Sequence, residues 1–199
     1  VDLSALYLDV LKDRLYTSMA SSRARRSAQT VMMEVLQAMA KLLAPILTFT
    51  AEEVWLALPP CPGKPESVHL TQFPEVNPVF VRPDLAETWK TLVAVKGEAA
   101  KAIEAARQNK VVGHSLDAAV EVAAPEPLRA MLETHQDDLR ALLIVSDLRV
   151  VEGQGIANAY RSVDIPGLVV GVSRAKGEKC HRCWNYSSTV GESRKHPTL

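Results

Sequence analysis

Two cysteines near the end of the chain have the spacing of metal ligands. Cys180 and Cys183 form a C-x-x-C pair, and this spacing allows two thiolates to bind one tetrahedral zinc ion. A structural zinc site needs four ligands, but the chain contains no second C-x-x-C pair. His196 is a candidate third ligand by distance along the chain, although the pattern favours it only weakly. We therefore predict half of a zinc-binding segment, whose other half we expect beyond Leu199.

Basic residues are concentrated towards both ends of the chain. The net charge is +4 over residues 12–26 and +4 over residues 174–199, whereas residues 111–153 carry −5. Two basic segments around an acidic middle fit a polyanion that contacts both ends of the chain. Surface charge that is solvated and has no partner is the alternative. The basic residues of the first segment are Lys12, Arg14, Arg23, Arg25 and Arg26.

Helices must position this first basic segment. Apolar residues recur every three or four positions over residues 28–46, which predicts one face of an α-helix. Pro45 should end or kink that helix, and Thr50 followed by Glu53 predicts a capping box for the next one. Trp55 lies at the end of the apolar pattern, so we assign it to the core rather than to base stacking. The SSRARRS stretch before the long helix is either a phosphate-binding bend or a solvated loop.

A proline-rich connection separates this helical part from the rest of the chain. Six prolines fall between Pro59 and Pro78, and we expect only one short extended piece there, over residues 67–72. Beyond this connection Asp84 is the predicted cap of a third long helix. The mixed pattern that follows is typical of a small α+β unit. It predicts a helix to about residue 109, a strand at 118–122, helices at 128–134 and 137–142, and strands at 143–151 and 163–172 that pair with each other.

Composition excludes several classes of protein. No apolar run approaches the roughly 18 residues that a membrane span requires, and no signal peptide is found. Three cysteines, two of them in one C-x-x-C pair, argue against a disulfide framework and for a reducing compartment. The chain begins at Val1 within a helix-like pattern, so we expect a piece of a longer cytoplasmic protein. Nothing in the sequence suggests more than a monomer.

Five stretches of the chain resemble, in order and spacing, the C-terminal part of bacterial isoleucyl-tRNA synthetases, which are class I aminoacyl-tRNA synthetases. The LAPILTFTAEEVW corner is shared with the valine, leucine and methionine enzymes, whereas KDRLY followed later by KCxRCW is similar to the isoleucine enzymes. The resemblance implies a mainly α fold with a smaller α+β part. Its domains would be a helical anticodon-binding domain over 1–78, an α+β junction domain over 79–175 and a truncated zinc-binding segment over 176–199. The five stretches are LSALYLDVLKDRLYT, AQTVMMEVLQAMAKLLAPILTFTAEEVW, ESVHLTQFP, EAARQNKVVGHSLDA and KCHRCWNY.

The resemblance implies a tRNA-binding role without catalysis. The chain has no HIGH-type or KMSKS-type motif, so ATP would be used by a catalytic domain elsewhere in the parent isoleucine–tRNA ligase. The implied partners are that parent enzyme and the anticodon stem-loop of tRNA(Ile). In the family, the side of the zinc segment that carries Arg182 and Trp184 faces this stem-loop, where a cation contacts the backbone and an aromatic ring stacks on a base. The helical domain would contribute Lys12, Arg14, Arg23, Arg25 and Arg26.

Two other interpretations remain open at this point. The chain could be the equivalent part of a valyl-type synthetase, which would prefer a different anticodon. It could also be a helical and zinc-binding module for protein interaction, which would show no salt-dependent RNA binding. For Arg14 the alternative is an ion pair that anchors its helix to a neighbour. The family carries a second C-x-x-C pair shortly after the first, and this sequence ends before that position.

Overall fold

Helices occupy most of the first half of the chain, and a small mixed sheet lies in the second half. The computed structural model describes residues 2–153, 155–156 and 159–199. Two units pack separately: residues 14–82 form the helical unit, and residues up to 13 together with 83–199 form the α+β unit. The expected fold class, mainly α with a smaller α+β part, is confirmed at that level. No helix in the described part of the chain is long and apolar enough to span a membrane.

The predicted corner in the helical unit is present. A π-helical turn at Asp2–Tyr7 and helix α1 (Leu8–Tyr16) precede α2 (Arg23–Leu43), which ends just before Pro45, and α3 (Thr48–Ala57) follows. The backbone N–H groups of Ile46 and Leu47 both donate to Leu43 O, which tightens the corner. The predicted Thr50–Glu53 capping box is wrong, because α3 begins at Thr48 and has no side-chain cap.

The connection after α3 also differs from expectation. Residues 68–70 form a 3₁₀ helix rather than part of an extended piece, and Glu52 of α3 holds it in place. The Glu52 carboxylate accepts hydrogen bonds from Ser67 Oγ at 3.0 Å and from Val68 N at 2.9 Å. This arrangement buries Val68 against α2 and α3. The core of the helical unit consists of Ala40, Ala44, Ala51, Trp55, Leu58 and Val68.

The α+β unit is built on helix α4 (Pro83–Gln108), which begins one residue before the predicted cap. The sheet contains β1 (Ala118–Ala123), β2 (Asp147–Val150), β3 (Tyr160–Arg161) and β4 (Val169–Arg174) in the order β2-β1-β4-β3. Helices α5 (Leu128–Thr134) and α6 (Gln136–Leu143) connect β1 to β2, which are parallel. The strand at 118–122 and both short helices are therefore confirmed.

The predicted strand pairing within this unit is wrong. The two later strands do not pair with each other, because β1 lies between them and β4 is antiparallel to β1. The segment predicted to begin a strand at residue 143 instead ends α6, and Ile144 takes a positive φ of 53° before β2 begins at Asp147. The core lies between α4, the sheet and the crossover helices, and includes Leu92, Val95, Val120, Val122, Leu132, Leu139, Leu148 and Val170.

The C-terminal end of the α+β unit forms a separate small hairpin. Strands β5 (Glu178–Lys179) and β6 (Tyr186–Ser187) are antiparallel, with Lys179 opposite Tyr186. Gly177 enters the hairpin with a φ of +91°. The connection between the two strands carries both cysteines of the C-x-x-C pair.

Candidate nucleic-acid interface

The cysteine turn of the hairpin is arranged to stabilise a thiolate. Hydrogen bonding to the backbone of Cys183, and to a smaller degree of Arg182 and Trp184, lowers the pKa of the Cys180 thiol, although partial burial opposes this shift. The backbone of the turn is closed by Trp184 N donating to Cys180 O and by Cys180 N donating to Asn185 O, both at 2.9 Å. Since the thiolate is the form that binds metal ions, this turn fits a zinc ligand pair.

The two thiols have the chemistry and spacing of a pair of metal ligands. Cys180 and Cys183 are free and half-buried. Within the described ranges, no group of three or more Cys, His, Asp or Glu side chains could hold a metal ion. His196 is therefore not a third ligand among these residues. The donor set agrees with two of the four positions of a structural zinc ion, and the remaining two would come from outside the described residues.

Trp184 presents an exposed ring beside the cysteine turn. Trp184 is 58% exposed, and its backbone has a φ of +65°. Lys179 Nζ lies 5.3 Å from the centre of the ring, within the range of a cation–π contact. Arg182 is exposed on the same turn. An exposed ring with a lysine over it, and an exposed arginine on the same turn, can stack on an unpaired base and contact phosphate.

Sequence reasoning missed Lys179 at this site. The residue stands directly before Cys180 in the KCHRCW run, and nothing local in the sequence shows that it reaches Trp184. The contact arises from the hairpin register, which places Lys179 opposite Tyr186, two residues beyond Trp184. The nearest signal in the sequence was the occurrence of a cation and an aromatic residue on either side of one C-x-x-C pair.

The second group of predicted residues lies in the first turn of α2. The bend is shorter than the SSRARRS stretch suggests, because Ser22 already caps the helix by accepting a hydrogen bond from Arg25 N at 3.2 Å. Arg23 and Arg26 are exposed, and the first turn contains no acidic residue. A helix N-terminus is itself electropositive. The turn therefore concentrates positive charge at a place where it opposes the helix dipole.

Arg25 has a different role from its two neighbours. Its side chain is half-buried, and Nη1 donates to Ser18 O at 3.1 Å, which ties α2 to the preceding turn. Its Nε is buried, and no partner for it is found among the described residues. Arg25 therefore stabilises the bend, and it presents less of its charge to solvent than Arg23 or Arg26 does.

Lys12 and Arg14 lie on α1. Lys12 Nζ forms an exposed ion pair with Asp9 Oδ1 at 2.7 Å on the same helix. Arg14 is exposed in the last turn of α1, and no ion pair of its side chain is found within residues 2–153, 155–156 and 159–199. The structure thus brings together Arg23, Arg25 and Arg26 in the helical unit. Within the α+β unit it brings together Cys180, Arg182, Cys183 and Trp184, with the addition of Lys179.

Comparison with known proteins gives two family matches. Residues 1–122 match the family described as "Anticodon-binding domain of tRNA ligase", and residues 177–199 match "Zinc finger found in FPG and IleRS". Curated proteins named isoleucine–tRNA ligase are similar to all of this chain. Identity is 45% over 200 residues for the one from Syntrophotalea carbinolica, 45% over 199 for Geobacter sulfurreducens and 44% over 201 for Moorella thermoacetica. The chain spans about a fifth of the length of these relatives, 21% or 22%.

Proposed function

Because this chain belongs to the family of anticodon-binding domains of tRNA ligases, we propose that it is the C-terminal, tRNA-binding part of an isoleucine–tRNA ligase. The observation that carries the proposal is the family match over residues 1–122, which agrees with the similarity of the whole chain to isoleucine–tRNA ligases. The parent enzyme would attach isoleucine to tRNA(Ile) with ATP. This chain would bind the RNA and take no part in the chemistry.

The first turn of α2 would contact the sugar–phosphate backbone. Cations in the first turn of a helix cost stability because they oppose the helix dipole, and Arg23 and Arg26 have no acidic neighbour in that turn. A bound phosphate would remove this repulsion and accept hydrogen bonds from both guanidinium groups. Lys12 and Arg14 on α1 would contribute further contacts, and so would the part of the Arg25 side chain that remains exposed. Such contacts give affinity and orientation rather than base recognition.

The hairpin would contact an unpaired base. A zinc ion held by Cys180 and Cys183, with two ligands from outside the described residues, would cross-link the turn and supply structure rather than catalysis. Trp184 would stack on a base while Arg182 and Lys179 neutralise nearby phosphates. The proposed partner is the anticodon stem-loop of tRNA(Ile), bound by a monomer in the cytoplasm.

A binding titration tests the proposal. The chain is titrated with an anticodon stem-loop of tRNA(Ile), and with the same loop after a single base change, at two salt concentrations. We expect tighter binding of the isoleucine loop and a steep loss of affinity with salt, since each neutralised phosphate releases counterions. Equal salt-sensitive binding of both loops would keep the tRNA role but place base discrimination outside this chain. No binding at either salt would contradict the proposal and favour a protein-interaction module.

Charge reversal locates the helical half of the interface. The double variant Arg23→Glu/Arg26→Glu should weaken binding and reduce the slope of log K against log salt by about 0.7 for each phosphate that the variant no longer neutralises. Arg140→Glu is the matched control, because Arg140 is also exposed on a helix but lies outside both basic segments. Equal effects of the double variant and the control would argue against an RNA-binding role for the start of α2.

A further inference from the structure

A buried serine joins the cysteine hairpin to the sheet of the α+β unit. Ser146 lies in the connection between α6 and β2 and is 8% exposed. Its hydroxyl donates to Leu116 O at 2.5 Å and accepts a hydrogen bond from Tyr186 N at 2.7 Å. We propose that Ser146 is a positioning residue for RNA binding, which acts by fixing the hairpin that carries Trp184 and Arg182. This inference rests on the proposed function.

The register of the hairpin explains why the N–H of Tyr186 is available to Ser146. Cys180 N donates to Asn185 O, so these two residues form a hydrogen-bonded pair. In an antiparallel ladder the next pair along is not hydrogen-bonded, and its N–H groups point outwards. That next pair is Lys179 and Tyr186. The Tyr186 amide therefore needs a partner outside the hairpin, and the Ser146 hydroxyl provides it.

The attachment is made where the ends of three strands of the sheet meet. Ser146 immediately precedes β2, and its own N–H donates to Ala118 O at the start of β1. Ala118 is in turn paired with Arg174, the last residue of β4. The N–H of Ala175 donates to Asp117 O at 2.7 Å, directly before the chain enters the hairpin. The hairpin is thus linked to these strand ends through the chain from β4 and through the Ser146 hydroxyl.

Two attachment points restrict rotation of the hairpin in a way that one cannot. Without the Ser146 hydroxyl the hairpin would be held less firmly, because the covalent connection from β4 runs through residues 176–177 and Gly177 allows a wide range of backbone conformations. Trp184 lies two residues from Tyr186, so the position of its ring depends on this second attachment. A stacking ring held in one orientation loses less entropy on binding than a mobile one. Ser146 would in this way strengthen a contact that it does not itself make.

Amide hydrogen exchange and a double-mutant cycle on this chain test the inference. Ser146→Ala should lower the protection of the Tyr186 amide while leaving the amides of β1 and β4 protected. It should also weaken binding of the isoleucine anticodon stem-loop by about 3- to 10-fold, the loss typical of one hydrogen bond. Ser162→Ala is the matched control, since Ser162 Oγ accepts a hydrogen bond from Ile165 N at 2.8 Å in the same unit, and no hydrogen bond from it to the hairpin is found among the described residues. It should change neither measurement at the hairpin.

The cycle separates positioning from a general loss of stability. In a Trp184→Ala background, Ser146→Ala should change RNA affinity by less than about 2-fold, because the effects of residues that act through one shared contact are not additive. In an Arg26→Ala background, Ser146→Ala should still weaken RNA binding by the full amount, about 3- to 10-fold. The inference is overturned if Tyr186 protection is unchanged, or if the loss is the same in both backgrounds. Failure of the unsubstituted chain to bind RNA would contradict the proposed function instead, and the exchange measurement would still report the attachment.

Discussion

The helical unit and the α+β unit differ in the kind of core that each possesses. Half of the buried apolar residues of the helical core are alanines, and Trp55 is by far its largest member. The core of the α+β unit is larger and contains five fully buried leucines. Because stabilisation by burial grows with apolar area, the helical unit depends on very few side chains. Its stability should be sensitive to single substitutions that the other unit would tolerate.

The two units also differ in how their proposed RNA contacts are held. Arg23 and Arg26 project from a regular helical turn, so their positions follow from helix geometry and their side chains remain adjustable. The Trp184 ring is carried by a hairpin whose backbone is held by hydrogen bonds, including Cys180 N to Asn185 O and Tyr186 N to the Ser146 hydroxyl. We therefore expect the contribution of Arg23 and Arg26 to RNA affinity to change with charge substitutions and salt. The contribution of Trp184 should change with substitutions that alter the hairpin backbone.

The largest effect should follow from truncation of Trp55. The ring is 2% exposed, its Nε1 donates to Pro65 O at 2.9 Å, and Lys41 and Lys64 lie over it. Trp55→Ala should lower the free energy of unfolding of the helical unit by about 3–5 kcal/mol, measured by denaturant titration followed by circular dichroism. Trp89→Ala is the control, because Trp89 is 37% exposed and its loss should cost much less. Equal costs would contradict the contrast between the two cores.

A substitution at Gly177 should disrupt the hairpin while the sheet remains folded. A Cβ atom there would overlap the backbone carbonyl of Ser187, and the residue also has a φ of +91°. Gly177→Ala should abolish the amide protection of residues 178–187 and leave that of β1 and β4 intact. Gly63→Ala separates the two causes, since Gly63 has a φ of +75° and no atom within 4 Å of the added Cβ. Gly63→Ala should lower the free energy of unfolding by only about 1–2 kcal/mol. A similarly small effect of Gly177→Ala would show that the Ser187 backbone can move away from the added Cβ atom.

Local signals in the sequence predicted several elements of the fold correctly. Pro45 removes a donor and ends α2, so the corner could be located from one residue. The strand at 118–122 and the helices α5 and α6 followed from periodicity and length. The capping box failed because Thr50 lies inside the first turn of α3, and sequence alone does not fix where a helix begins.

Long-range contacts account for what could not be predicted. β1 pairs with both β2 and β4 because the chain crosses over between β1 and β2. The residues of the strands themselves do not specify this strand order. The C-x-x-C pair was recognisable because both thiols lie within four residues. The roles of Lys179 and Ser146 depend on hairpin register and on a contact across 40 residues of chain, and no pattern in the sequence reports either.

Acid should weaken the α+β unit through Glu98. This carboxylate is 4% exposed on α4, and hydrogen bonds from Lys101, Ser162 and Tyr160 lower its pKa from 4.5 to about 2, although burial opposes the shift. A carboxyl group with a lowered pKa stabilises the folded state above its ordinary pKa, and this contribution is lost as pH falls from about 4.5 towards 2. Glu98→Gln should therefore show a shallower loss of stability over this range than the unsubstituted chain, in denaturant titrations at stepped pH. Glu104→Gln removes an exposed carboxylate from the same helix and controls for the change in charge.

The smallest expected effect is a gain of stability at Gly97. This residue lies in the interior of α4, is exposed, and has no atom within 4 Å of an added Cβ. Gly97→Ala should raise the free energy of unfolding by about 0.5–1 kcal/mol, because alanine restricts the unfolded chain and favours helix. Ala38→Gly makes the reverse change within α2 and should cost about 1 kcal/mol.

Amide exchange at the two helices assigns each of these changes to its unit. Gly97→Ala should increase the protection of α4 and leave that of α2 unchanged, whereas Ala38→Gly should reduce the protection of α2 and leave α4 unchanged. Since the helical core is the smaller one, Ala38→Gly removes a larger fraction of its unit's stability than Gly97→Ala adds to the other. A change of equal size in both helices for either variant would mean that the two cores do not set stability independently, and the contrast between them would then have to be abandoned.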